Sequence, residues 1–174
     1  MSWGRVVMLA FFAVFGLTGC VFSLSGDKPA KPATHADYLP PRDEANWAKM
    51  QAFLDTYKHK EGVKVLDSGI AYRVLTQGSG KGRKATWAST VIVRYKGSLI
   101  NGHVFDEVKP GDPPAEFELN GVVKGWQEVV PLMRNGDKWE IVLPSDFAYG
   151  RAGRAPTIAP DQVLVFEIEL VGIK

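Results

Sequence analysis

The 174-residue chain has one cysteine, Cys20, so no intramolecular disulfide can brace it, and an exported domain built from it must stand on its hydrophobic core. It also lacks a long apolar run. The most hydrophobic stretch, Val6 to Leu17, is twelve residues, short of the roughly 20 a helix needs to cross a bilayer. Neither sign of charge dominates: 21 Lys and Arg stand against 19 Asp and Glu. That balance leaves no basic stripe for neutralising phosphates and excludes nucleic acid as an expected partner. The three histidines, His35, His59 and His103, lie far apart without ligand spacing, so no metal is expected. With no Ser or Cys in a nucleophile setting and no paired carboxylates, hydrolytic mechanisms have little to stand on. The densest basic run, Lys81-Gly82-Arg83-Lys84, reads as a solvated loop. Gly78-Ser79-Gly80-Lys81-Gly82 is no phosphate loop, because neither Ser nor Thr follows Lys81 and a strand pattern, not a helix, comes next.

What is there begins with an address. Arg5, the short apolar run and the small Gly19 read as a secretory signal over residues 1–19. The run Leu17-Thr18-Gly19-Cys20 resembles the lipobox of bacterial lipoproteins. That resemblance implies cleavage before Cys20, acylation of its thiol and new amino terminus, and membrane lipid as a partner. Each buried methylene contributes about 0.8 kcal/mol and two chains already anchor stably, so a triply acylated Cys20 would be held firmly. Val21 rather than an aspartate follows, which in enterobacteria-like sorting permits the outer membrane, with the domain in the periplasm or at the cell surface. Loss of residues 1–19 leaves 155, enough for one domain and a tether. Residues 20–41, with Pro29, Pro32, Pro40 and Pro41 among Ser, Gly, Lys and Ala, read as that tether.

Residues 42–62 hold a helix and its connection: Asp43 is a candidate cap, and Trp47, Met50, Leu54 and Tyr57 fall on one face. The stripe is short for a dimer seam, so it is expected to pack onto its own domain and leave a monomer. Beyond Gly62 the period becomes two. Ile70, Tyr72 and Val74 share a strand face, as do Val91, Val93 and Tyr95, then Trp139, Ile141 and Leu143, and finally Leu164, Phe166, Ile168 and Leu170. Glu167 and Glu169 fall on the opposite face, toward water. Between the strands, Gly125 to about Met133 reads as a helix with Trp126, Val129, Val130 and Met133 inward, shortened or kinked by Pro131. The expected class is α+β.

Six motifs then fall in order: Val93-Arg94-Tyr95-Lys96-Gly97, Gly102-His103-Val104-Phe105-Asp106, Phe117-Glu118-Leu119, Val122-Val123-Lys124-Gly125-Trp126, Pro144-Ser145-Asp146-Phe147-Ala148-Tyr149-Gly150 and Leu164-Val165-Phe166. In order and spacing they resemble the FKBP-type peptidyl-prolyl isomerases, over residues 63–174. Lys60-Glu61-Gly62-Val63 with Ser68-Gly69 is similar to the domain entry of the macrophage-infectivity-potentiator-like bacterial members. The resemblance implies an antiparallel, strongly curved sheet wrapped around one short helix. It implies a pocket floored by Trp126, walled by Tyr95, Phe105 and Phe166 and lined at the side by Val122 and Val123. Asp106 and Tyr149 would supply polar contacts, Ile158 a rim, and Phe117, Arg154 and Thr157 further substrate contacts. Thr157 and Arg154 stand where many relatives carry isoleucine and histidine, a departure that bears on substrate preference and on affinity for a macrolide ligand. No cofactor is implied.

Elementary chemistry supports such a pocket as a site of prolyl isomerisation. Rotation about an Xaa–Pro amide faces a barrier of roughly 18–20 kcal/mol, set by resonance whose charge-separated component water favours. Apolar surroundings weaken that advantage and cost the twisted amide less than the planar one. The expected function is prolyl isomerisation on exported or envelope polypeptides. The alternative is a proline-segment-binding or chaperone module using the same pocket without useful turnover.

Overall fold

The computed structural model describes residues 39, 41–79 and 82–174. The expected signal, Cys20, nearly all of the tether, His35, Gly80 and Lys81 lie outside the described residues.

The capping aspartate does start a helix. Asp43 accepts a hydrogen bond from the Asn46 N–H at 3.1 Å, and α1 runs over Glu44–Tyr57. Seven strands follow: β1 (Val63–Val65), β2 (Ala71–Thr76), β3 (Thr90–Leu99), β4 (Val104–Glu107), β5 (Ala115–Glu118), β6 (Lys138–Leu143) and β7 (Leu164–Ile173). They form one antiparallel curved sheet in the order β1-β2-β6-β7-β3-β4. On the free side of β3, β5 pairs with its first half and β4 with its second, so two short strands lie along one edge.

Alternation along β7 divides the sheet into two faces. Leu164, Phe166, Ile168 and Leu170 point inward and are buried, beside Ile141 and Leu143 of β6 and Val91 and Val93 of β3. Against them lies α2 (Lys124–Val129), continued by a single 3-10 turn over Val130–Leu132. The sequence predicts one helix from Gly125 to about Met133. The structure starts it one residue earlier and ends its α portion at Val129, because Pro131 has no N–H to continue the ladder. Trp126, Val129, Val130 and Met133 are all buried, as the helical spacing requires.

The outer face has two halves. Over one, α1 lays Met50 and Tyr57, both almost fully buried, on Ala71, Val142 and Val163, with Phe53, Leu54 and Val165 around them. Over the other, Glu167 and Glu169 stand among Arg94, Lys96 and Lys138, and Lys138 Nζ sits 3.1 Å from Glu167. These glutamates lie on the outer face, as their alternation with Phe166 and Ile168 predicts. Three elements escaped the period-two reading: β1, β4 and β5 are three or four residues long, too short to show an alternation.

Candidate active site

Strand register brings distant residues to one cavity. Ile168 of β7 pairs with Tyr95 of β3, Phe166 with Gly97, and Gly97 in turn with Asp106 of β4; Phe117 of β5 lies opposite Val91. The Lys124 end of α2 enters this concavity and sets Trp126 at its base, with the indole only 4% exposed. Three rings meet that indole edge-on: Tyr95 at 5.4 Å and 82°, Phe166 at 5.4 Å and 84°, and Phe117 at 6.0 Å and 87°. Phe105 meets Phe166 in the same manner at 5.7 Å. Edge-to-face contact of this kind is favoured by the ring quadrupole. Above the indole remains a cavity of about 380 Å³, lined by Tyr95, Phe105, Asp106, Phe117, Gly121, Val122, Val123, Trp126, Tyr149, Arg154 and Phe166.

The polar groups are few and placed at the margin. The Tyr95 hydroxyl donates to Asp106 Oδ2 at 2.8 Å, which ties β3 to β4 beside the register shift between Gly97 and Ser98. Burial, with the hydrogen bond to Asp106 adding to it, pushes the Tyr95 phenol well above its ordinary value, so the hydroxyl stays a donor at any physiological pH. Arg154 leans over Tyr149, its guanidinium carbon 5.7 Å from the ring centroid and Nη1 3.4 Å from the phenol oxygen. The Trp126 Nε1–H is buried without an acceptor among the described residues.

Of the residues expected at the pocket, Tyr95, Phe105, Asp106, Phe117, Val122, Val123, Trp126, Tyr149, Arg154 and Phe166 come together at this cavity. Ile158 and Thr157 do not line it. They face a second cavity of about 450 Å³ between α1 and the 152–162 segment, and Ile158 is almost fully buried beneath the hairpin it makes with Arg154. Three contributors carried no assigned role in the sequence reading: Gly121, which lines the cavity, Gly97 and Gln127. Gly97 is required because a Cβ there would lie 2.7–2.8 Å from the Phe105 and Phe166 rings, so only glycine lets both walls close over the strand. A glycine inside an alternating strand is the signal that could have found it. Gln127 Nε2 donates to Val122 O at 2.7 Å and fixes the loop that presents Val122; nothing in the sequence pattern marks it.

Comparison with known proteins agrees with this geometry. Residues 81–171 match the family model described as FKBP-type peptidyl-prolyl cis-trans isomerase, and residues 34–74 match the domain amino terminal to FKBP-type peptidyl-prolyl isomerase. The peptidyl-prolyl cis-trans isomerase Mip of Coxiella burnetii is 43% identical over 129 residues, 74% of this chain and 55% of that protein. The outer membrane protein MIP of Legionella longbeachae is 40% identical over 131 residues, 75% of this chain and again 55% of the relative. The chain thus spans about half the length of these curated relatives. A crystal structure of a peptidyl-prolyl cis-trans isomerase from Pseudomonas syringae superposes with a TM-score of 0.71 at 38% identity, covering 78% of this chain and 98% of that one. The chain belongs to the FKBP-type peptidyl-prolyl cis-trans isomerases.

Proposed function

We propose that this chain catalyses cis–trans isomerisation of Xaa–Pro bonds, with the cavity over Trp126 as the active site. The observation that carries the proposal is the indole floor met edge-on by Tyr95, Phe117 and Phe166 beneath a cavity of about 380 Å³. A prolyl ring entering this space exchanges water for aromatic carbon, a gain of about 25 cal/mol per Å² of apolar surface. The same desolvation acts selectively on the amide. The planar form, with its charge-separated resonance, loses more from leaving water than the twisted form does, and each 1.36 kcal/mol of that difference is about tenfold in rate. The Tyr149 hydroxyl is placed at the margin to hold a client carbonyl, and Asp106 keeps Tyr95 in position. No covalent intermediate is involved. Ile158 and Thr157 act through the hairpin that carries Arg154.

Clients are proline-containing polypeptides of the cell envelope, reached from an acylated Cys20 through the 20–41 tether, with the domain of residues 63–174 acting as a monomer. The lipobox-like run ending at Cys20 supports this placement, as does similarity to a relative named an outer membrane protein. Mass spectrometry of the mature amino terminus tests the anchor: a diacylated or triacylated Cys20 is expected, and a terminus at Met1 or an unmodified Cys20 contradicts it. Isomerisation of a short Xaa–Pro peptide tests the activity. Peptide binding without turnover would instead assign the cavity to a binding module.

A further inference from the structure

Arg154 is the one cation among the residues lining the aromatic cavity, and Asp106 is the one carboxylate. The two belong to different elements. Asp106 belongs to β4 and its Oδ2 is taken by the Tyr95 hydroxyl. Arg154 belongs to the tight hairpin that follows Tyr149, closed by two backbone hydrogen bonds with Ile158, at 2.7 and 2.9 Å. Gly153, with φ of 64°, turns the chain into this hairpin, and a Cβ there would lie 2.5 Å from Ile158 O. The hairpin is pinned from below, since Ile158 is 2% exposed and joins the main core.

The side chain of Arg154 is therefore held at both ends, its backbone by Ile158 and its guanidinium by the face and hydroxyl of Tyr149. Only one of its five N–H donors is occupied in that contact, at 3.4 Å and by a neutral oxygen. No ion pair among the described residues includes Arg154. A guanidinium with unused donors at the edge of an apolar cavity has the geometry to receive a carboxylate.

We infer that Arg154 is a specificity-determining residue that selects client segments carrying an acidic side chain beside the isomerised Xaa–Pro bond, on the Tyr149 side of the cavity. This rests on the isomerase reading of the site. Because Asp106 belongs to β4 and Arg154 to the hairpin, the preference is positional: a carboxylate is attracted where it meets Arg154 and disfavoured where it meets Asp106. The pair is solvent-exposed, so the gain is modest, about two- to fivefold, and shrinks with salt.

The test is a set of peptides with Glu, Gln or Lys scanned on either side of the proline, read as kcat/KM and as the dissociation constant of each peptide. In the wild type, at one of the two positions, the Glu peptide should exceed the Gln peptide about threefold at low salt and approach it in molar salt. Whatever Arg154→Gln does to turnover as a whole, its Glu-to-Gln ratio should fall to one, and Arg154→Glu should reverse the order in favour of Lys at that same position. A wild-type ratio of one at both positions, or a preference that survives Arg154→Glu, overturns the inference. Turnover of the Gln peptide keeps the isomerase reading intact in either event. If no peptide is turned over, that reading falls, and the dissociation constants alone decide the charge preference.

Discussion

At the scale of single residues, the cavity depends on shape more than on titratable chemistry. Trp126→Leu keeps an apolar side chain in the helix while removing the flat floor against which three rings are set; kcat/KM should fall at least about tenfold with circular dichroism unchanged. Gly97→Ala should cost about 1–3 kcal/mol in urea unfolding, because its methyl would overlap the Phe105 and Phe166 rings, and activity should fall with it. Tyr95 makes a pH prediction. Its phenol ionises at a higher pH in the folded protein than in the unfolded chain, where the value is about 10, chiefly because it is buried. The stability it confers is complete below about pH 10 and is lost as pH rises through the folded value. Tyr57, buried and bonded to Glu140, adds to the same alkaline loss. Urea midpoints measured from pH 8 to 12 should therefore fall above pH 10 in the wild type and fall less in Tyr95→Phe.

At the scale of elements, the amino-terminal helix is fastened to the segment that follows the Arg154 hairpin. Arg42 Nε lies 3.2 Å from Oδ2 of Asp161, which is 3% exposed, and Asn46 Nδ2 donates to Pro160 O. The Asp161 N–H in turn donates to Gly150 O at 2.9 Å, beside Tyr149. Arg42→Ala leaves a buried carboxylate without its guanidinium and should cost about 1–3 kcal/mol. The double variant with Asp161→Asn should cost less than Arg42→Ala alone, a coupling that urea titration of the four proteins reads directly. If the two costs simply add, the contact contributes nothing. Met50→Ala, which opens a hole between α1 and the sheet, should cost about 2–5 kcal/mol.

The same elements show what could be read from sequence. The periods of β2, β3, β6 and β7 were legible because each strand is six to ten residues long and most alternate a buried with a wetter face. Asp43 and the stripe Trp47, Met50, Leu54 and Tyr57 announced α1, though Trp47 lies outside the buried cluster and meets Arg42 instead, and Pro131 announced the end of α2. The short β1, β4 and β5 were not legible as strands: three or four residues show no alternation, and pairing defines them, β1 with β2, β4 with β3, and β5 with β3 from more than twenty residues away. The cavity residues came from the family resemblance, which also carries Ile158 and Thr157 over with Arg154. The structure keeps both away from the cavity: Thr157 sits exposed in the turn of the hairpin, and Ile158, the arm paired with Arg154, turns its side chain into the core.

At the scale of the whole molecule, one sheet serves two purposes. Its inner face wraps α2 and supplies the walls of the cavity, while its outer face carries α1. The curvature that closes the walls also shelters the indole from water, which is what lowering the rotational barrier of a prolyl amide requires. The most direct test is the rate of cis–trans exchange of a short Xaa–Pro peptide, followed by NMR exchange spectroscopy with the purified protein and with Trp126→Leu. The account predicts rapid exchange with the wild type and at least a tenfold loss in the variant. Exchange no faster than the uncatalysed peptide, or equal in both proteins, contradicts it.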